Sequence, residues 1–143
     1  MGNLLNRSQL LEKEELQIEK IEFENGDFVY VRQMTGHERD LFEQSLLRKI
    51  KDAKGNITYE QATDDFRAKL AVVTVCNEKG ETVFLPSDYA LLSKNMSAKR
   101  LEMIINIAQK LNAITEEDKE NILKNSEAVQ DGNSNLDFAE SLG

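Results

Sequence analysis

The chain has one cysteine (Cys76), one histidine (His37), one proline (Pro86) and no tryptophan among its 143 residues. A lone cysteine excludes an intramolecular disulfide and, with no secretory pattern in the sequence, predicts a reducing compartment, the cytoplasm. A structural zinc site takes about four Cys or His ligands, and this chain has two such residues in all. No apolar run approaches the ~18 residues of a membrane-spanning helix. The start, Met1 to Arg7, has neither an apolar core nor a cleavage site. Met1-Gly2 opens like a myristoylation signal, but Asn6 stands where Ser or Thr is required. The seven glycines are scattered at turns, so no phosphate loop forms. Eighteen basic residues, interleaved with acids, leave a net charge of −8. That excludes the clustered cations of a nucleic-acid surface and serves solubility or attraction to a basic partner.

What remains suits one domain with a core of Leu, Ile, Val and Ala, since hydrophobic residues reach 40% and aromatics only 6%. A chain of this length buries about two thirds of its unfolded surface, enough to fold without staples.

The clearest extended signal is Leu16, Ile18, Ile21 and Phe23, then Glu24-Asn25-Gly26-Asp27, then Phe28 to Val31. Asn-Gly between such runs predicts a hairpin with a two-residue turn. The phase change from Ile18 to Ile21 predicts a bulge or a strand starting near Lys20. Thr35-Gly36-His37-Glu38 forms a capping box, and the helix after it should carry Leu41, Phe42, Ser45, Leu46 and Ile50 and stop before Lys54-Gly55-Asn56. Residues 57–64 are ambiguous. Phe66, Leu70 and Val73 have helical spacing, and with the length of the run they predict a helix that Asn77-Glu78-Lys79-Gly80 stops, although Val72 to Cys76 also suit a strand. Thr82–Leu85 is either a third strand or a connector. Ser87 is a candidate cap for a short helix over Tyr89 to Leu92. Ser97 should cap the best helix, whose apolar stripe is Leu101, Ile104, Ile105, Ala108 and Leu111, with Leu101, Ile104 and Ile105 in the core. Thr115-Glu116-Glu117-Asp118 opens a last helix anchored by Ile122 and Leu123. The predicted fold is α+β and mostly α-helical, an N-terminal β-hairpin packed on four or five helices. Residues 1–15 form an arm, helical or frayed, 16–126 the globular domain, and 127–143 a polar tail expected to be flexible.

No catalytic constellation emerges. His37 lies in the first turn of a predicted helix with no nucleophile or orienting partner in motif spacing. Cys76 ends an apolar run and suits a buried small hydrophobe. The acidic pairs Glu14-Glu15, Asp64-Asp65 and Glu116-Glu117-Asp118 suit helix starts or solvated faces. Asp131 to Asn135 resembles a calcium loop but lacks its Gly and Glu positions. Lys94 to Arg100 suits a solvated helix start. The chain is therefore expected to be no enzyme, to need no cofactor or metal, and to bind neither nucleic acid nor membrane. Its contact candidates are the apolar residues of arm and tail: Leu4, Leu5, Leu11, Leu136, Phe138 and Leu142.

Four ordered blocks carry a family resemblance. Val29 to Glu43, VYVRQMTGHERDLFE, is similar to the strand-and-helix segment of bacteriophage tail assembly chaperones. Phe66 to Leu70, FRAKL, resembles a second block of that family. Asn77-Glu78-Lys79-Gly80 with Val83-Phe84 resembles its turn and strand, Asn77 replacing the usual Asp. Ala108 to Asn112 with Thr115 to Asp118 resembles its ending. The resemblance spans roughly residues 16–126. It implies a non-enzymatic assembly factor of long-tailed phages or prophages, acting in the bacterial host cytoplasm. Such a factor covers the tape-measure protein while the tail tube polymerises. The tail tube protein is a further candidate partner, and self-association is expected. The alternative is a structural tail or connector component of the virion.

Overall fold

The computed structural model describes residues 2–61, 64–115, 117–118 and 120–121. Its elements are helix α1 (Arg7–Leu10), strands β1 (Ile18–Glu22) and β2 (Phe28–Arg32), helix α2 (Gly36–Ser45), strands β3 (Leu47–Lys51) and β4 (Ile57–Gln61), helix α3 (Phe66–Thr74), strand β5 (Val75–Cys76), a 3₁₀ turn (Pro86–Asp88), and helices α4 (Tyr89–Asn95) and α5 (Ala98–Leu111). The architecture is α+β. One antiparallel sheet has the order β1-β2-β5, and β3-β4 form a separate two-stranded sheet.

The expected first hairpin is present, with Ile18 opposite Arg32 through to Glu22 opposite Phe28. The pairing is continuous, so the strand starts at Ile18 and needs no bulge. Ile18 simply falls on the outer face, because side chains alternate along a strand. Ile21, Val29 and Val31 point the other way into the core. The turn is not the two-residue type expected. Gly26 alone has a positive φ, +90°. Phe23 N–H donates to Asp27 O (2.8 Å) and Gly26 N–H to Phe23 O (3.0 Å). This is the three-residue loop whose third position is left-handed and closes a bulge. Asn25 contributes a side-chain acceptor for Asp27 N–H instead.

The same loop recurs twice. Asp52 N–H donates to Asn56 O with Gly55 N–H to Asp52 O, and Asn77 N–H donates to Glu81 O with Gly80 N–H to Asn77 O. At both, an Asp or Asn side chain opens the loop and accepts two downstream amides. Asp52 Oδ1 takes those of Lys54 and Asn56, and Asn77 Oδ1 those of Lys79 and Glu81. The second loop creates a hairpin where a longer α2 was expected. α2 ends at Ser45, Leu46 is its buried C-cap, and Ile50 belongs to β3. Residues 57–61 are its return strand.

Helix α3 stops at Thr74, two residues short of Cys76, and the chain becomes β5 beside β2, Val75 opposite Val31 and Cys76 opposite Tyr30. β5 is therefore the third strand, and Thr82–Leu85 reaches the sheet only through a Thr82–Cys76 bridge. Ser87 caps nothing. It sits inside the 3₁₀ turn, where Leu85 N–H donates to the Asp88 carboxylate. Ser97 caps α5 as expected, accepting from Arg100 N–H. Leu101, Ile104, Ile105 and Ala108 are buried. Each large aliphatic side chain so buried is worth roughly 1.5–3 kcal/mol. α5 packs on β1, β2 and α3, and α3 also touches α2 and α4. The Phe42 and Phe66 rings meet at 5.7 Å between α2 and α3. Thr115 and Asp118 exchange the two hydrogen bonds of a helix start; Ile122 and Leu123 lie outside the described residues.

Candidate functional site

Two of the resemblance blocks meet in space. At the β2–α2 junction Arg32, 5% exposed, sends Nη1 and Nη2 to the two Glu38 oxygens, at 2.8 and 2.5 Å. Glu38 also accepts from Thr35 N–H while Thr35 Oγ1 accepts from Glu38 N–H. The guanidinium hydrogen bonds hold the Glu38 carboxyl far below its ordinary value, at about 2, against the opposing effect of burial. The Arg32 pKa is raised by the same hydrogen bonds.

From seventy-odd residues away, the end of α5 closes over this junction. Asn112 Oδ1 accepts from Met34 N–H at 2.6 Å, and Asn112 Nδ2 donates to Ala108 O and Arg32 O. Gln33 donates to Leu111 O and Arg39 to Asn112 O. In these blocks Arg32, Thr35, Glu38, Arg39 and Asn112 are a clamp that fixes the hairpin to α2 and α5. They are engaged with each other and with backbone.

His37 is exposed in the first turn of α2, and its neighbour Glu38 is committed to Arg32. Cys76 is a free, buried thiol whose pKa is raised by burial. Among the described residues no group of three or more His, Cys, Asp or Glu is placed to hold a metal, and no helix is long and apolar enough to cross a membrane. A cleft of about 520 Å³ is lined by residues 13–16, Arg32, Thr35, Glu38 and the Glu78–Gly80 turn. Glu14, Glu15, Glu38 and Glu78 outnumber its cations Lys13, Arg32 and Lys79, which disfavours an anionic ligand.

The surfaces that invite contact are apolar. In the arm, α1 is a single turn capped by Asn6 and Gln9 with no buried residue. Leu4 is 99% exposed and Leu11 68%, with Leu5 and Leu10 exposed beside them. The expected contact residues Leu4, Leu5 and Leu11 thus lie uncovered, whereas Leu136, Phe138 and Leu142 lie outside the described residues.

Sequence reasoning missed a second such surface. Every residue of β3 is exposed, as are Ile57 and Tyr59 of β4, so the β3–β4 hairpin shows both faces. Leu47, Ile57 and Tyr59 share one face with Lys49 and Lys51; Arg48, Ile50, Thr58 and Glu60 share the other. Arg48 is tied to Glu60 and Asp64. The signal was present in Lys54-Gly55-Asn56 followed by Ile57-Thr58-Tyr59, a glycine turn leading into β-branched and aromatic residues.

No family model matches the chain, and comparisons with curated proteins and with solved structures return no match.

Proposed function

We propose that this protein is a non-enzymatic tail assembly chaperone of a long-tailed phage or prophage. It works in the host cytoplasm on the tape-measure protein, with the tail tube protein as a second partner and with self-association. The observation that carries this is the pairing of uncovered leucines in the arm with an uncovered hairpin on an acidic body. A long, apolar, helical client aggregates unless its apolar stripe is covered, and exposed leucines spaced along an arm suit helix-in-groove contacts. The acidic body keeps the complex in solution. The resemblance blocks agree in order, and two of them converge on one clamp, which gives that sequence pattern a structural reason. A mostly helical body of four or five helices behind an N-terminal hairpin belongs to the same proposal, supported by α2 to α5.

Co-expression with the tape-measure protein of a long-tailed phage tests this. The expected result is a several-fold rise in soluble tape-measure protein and its co-purification with the chain. Leu4, Leu5 and Leu11 changed together to Ser should reduce both. No rise and no co-purification refute the chaperone role. Detection of the chain in purified virions would favour a structural tail component.

A further inference from the structure

We propose that copies of this chain assemble head to tail by strand addition, the free edge of β3 in one copy adding to the free edge of β1 in the next. The proposal names the surfaces for the self-association above and rests on that part of the preceding section, independently of the client.

Among the described residues both edges are bare, and they are matched. β1 is an outer strand of its sheet, and among the described residues β3 pairs only with β4. Each is five residues long. In an antiparallel ladder alternate residues direct both N–H and C=O away from the partner strand. The Phe23–Asp27 and Gln33–Gln17 hydrogen bonds fix the parity of the first hairpin, leaving Ile18, Lys20 and Glu22 directed outward from β1. The Asp52–Asn56 hydrogen bond does so for the second, leaving Leu47, Lys49 and Lys51 directed outward from β3. An isolated two-stranded hairpin is at best marginally stable in water, and a third strand is the usual remedy. Free edges of this kind are templates for pairing with another chain.

Charge selects the pairing. Residues 47–54 carry Arg48, Lys49, Lys51 and Lys54 against one acid, Asp52, in a chain whose net charge is −8. Residues 12–24, which contain and flank β1, carry Glu12, Glu14, Glu15, Glu19, Glu22 and Glu24 against two lysines. A basic edge and an acidic edge on one molecule disfavour β3–β3 and β1–β1 pairing and favour β3–β1. Such a contact is heterologous, so each added copy leaves one edge of each kind free and the assembly grows. The attraction between exposed charges weakens with salt, because the screening length falls from about 10 Å at 0.1 M to about 3 Å at 1 M.

The test uses the full chain and two charge reversals at exposed positions, Lys49→Glu with Lys51→Glu, and Glu15→Lys with Glu22→Lys. Sedimentation velocity and light scattering are run over a dilution series at low and high salt, with circular dichroism confirming that both variants fold. Wild type is expected to exceed its 16.3 kDa monomer mass as concentration rises, and to shrink at 1 M salt. Each variant alone should stay monomeric at least tenfold above the wild-type threshold. Mixed one to one, their reversed edges become complementary, and assembly should return. Variants that assemble like wild type, or a mixture that stays monomeric while wild type assembles, overturn this interface and leave self-association standing. A wild type that is monomeric at every concentration removes both, while solubilisation of the tape-measure protein still judges the chaperone role separately.

Discussion

Replacing Glu38 by Gln tests the clamp at the β2–α2 junction. Gln keeps the shape and an oxygen for Thr35 N–H, and Gln suits the third helical position of a capping box. What it removes is the charge facing Arg32, whose side chain is buried and whose Nε has no partner among the described residues. Glu38 falls from an ordinary 4.5 to about 2 in the folded chain, and at about 1.4 kcal/mol per pH unit this amounts to about 3.5 kcal/mol between its protonation states. Its side chain is 29% exposed, so solvent screening brings the expected loss to about 2 kcal/mol. At about 4 °C per kcal/mol for a domain of this size, Tm at pH 7 should fall by about 8 °C.

The pH dependence gives a second, independent readout. A carboxylate with a depressed folded pKa contributes its full stabilisation above its unfolded value of about 4.5. The contribution is lost as pH falls through the folded value of about 2. The Tm gap between wild type and Glu38→Gln should therefore be constant from pH 7 to about 5.5 and narrow steadily below 4.5. Differential scanning calorimetry from pH 7 to 2.5 measures it. A gap under about 1 °C at pH 7, or one that stays constant down to pH 2.5, would refute the assignment of stability to this ion pair.

Other consequences follow from the same geometry. Asn112→Ala leaves Met34 N–H without its acceptor and Arg32 O without its donor, and should cost about 2 kcal/mol in urea unfolding. Gly26→Ala and Gly80→Ala should each cost about 1 kcal/mol, because both positions have positive φ; at Gly80 the added Cβ meets the tip of the exposed Ile18 side chain, Cδ1 at 3.3 Å, which can yield, and a thermal shift near zero at either position would contradict the turn geometry. The Cys76 thiol, buried and with a raised pKa, should react with a disulfide reagent at least tenfold more slowly in buffer than in denaturant.

Local chemistry carried much of the fold in the sequence. Thr35-x-x-Glu38 and Ser97 announce two helix starts because capping is settled within four residues. The Leu101 to Ala108 stripe announces its buried face because periodicity is intrinsic to one helix. The boundary of α2 was not legible. Leu46 and Ile50 continue the spacing of Phe42, and a buried C-cap satisfies that pattern as well as another helical turn does. The β3–β4 hairpin was hidden for a related reason: with no buried face, it shows little of the alternation that marks a strand.

Of the candidate surfaces, the arm was legible as exposed leucines near a polar stretch, and the hairpin was not. By itself the sequence determined the capped helices, the first hairpin, the acidic exterior and the scarcity of residues for metal or thiol chemistry. Each of these depends on residue identity or on neighbours a few positions apart. The tertiary structure alone decided that β5 completes the sheet, that Asn112 closes on Arg32 and Met34, and that β1 and β3 are edge strands among the described residues. Those features join residues tens of positions apart, where the entropy of closing the intervening chain is offset only once the whole core has formed.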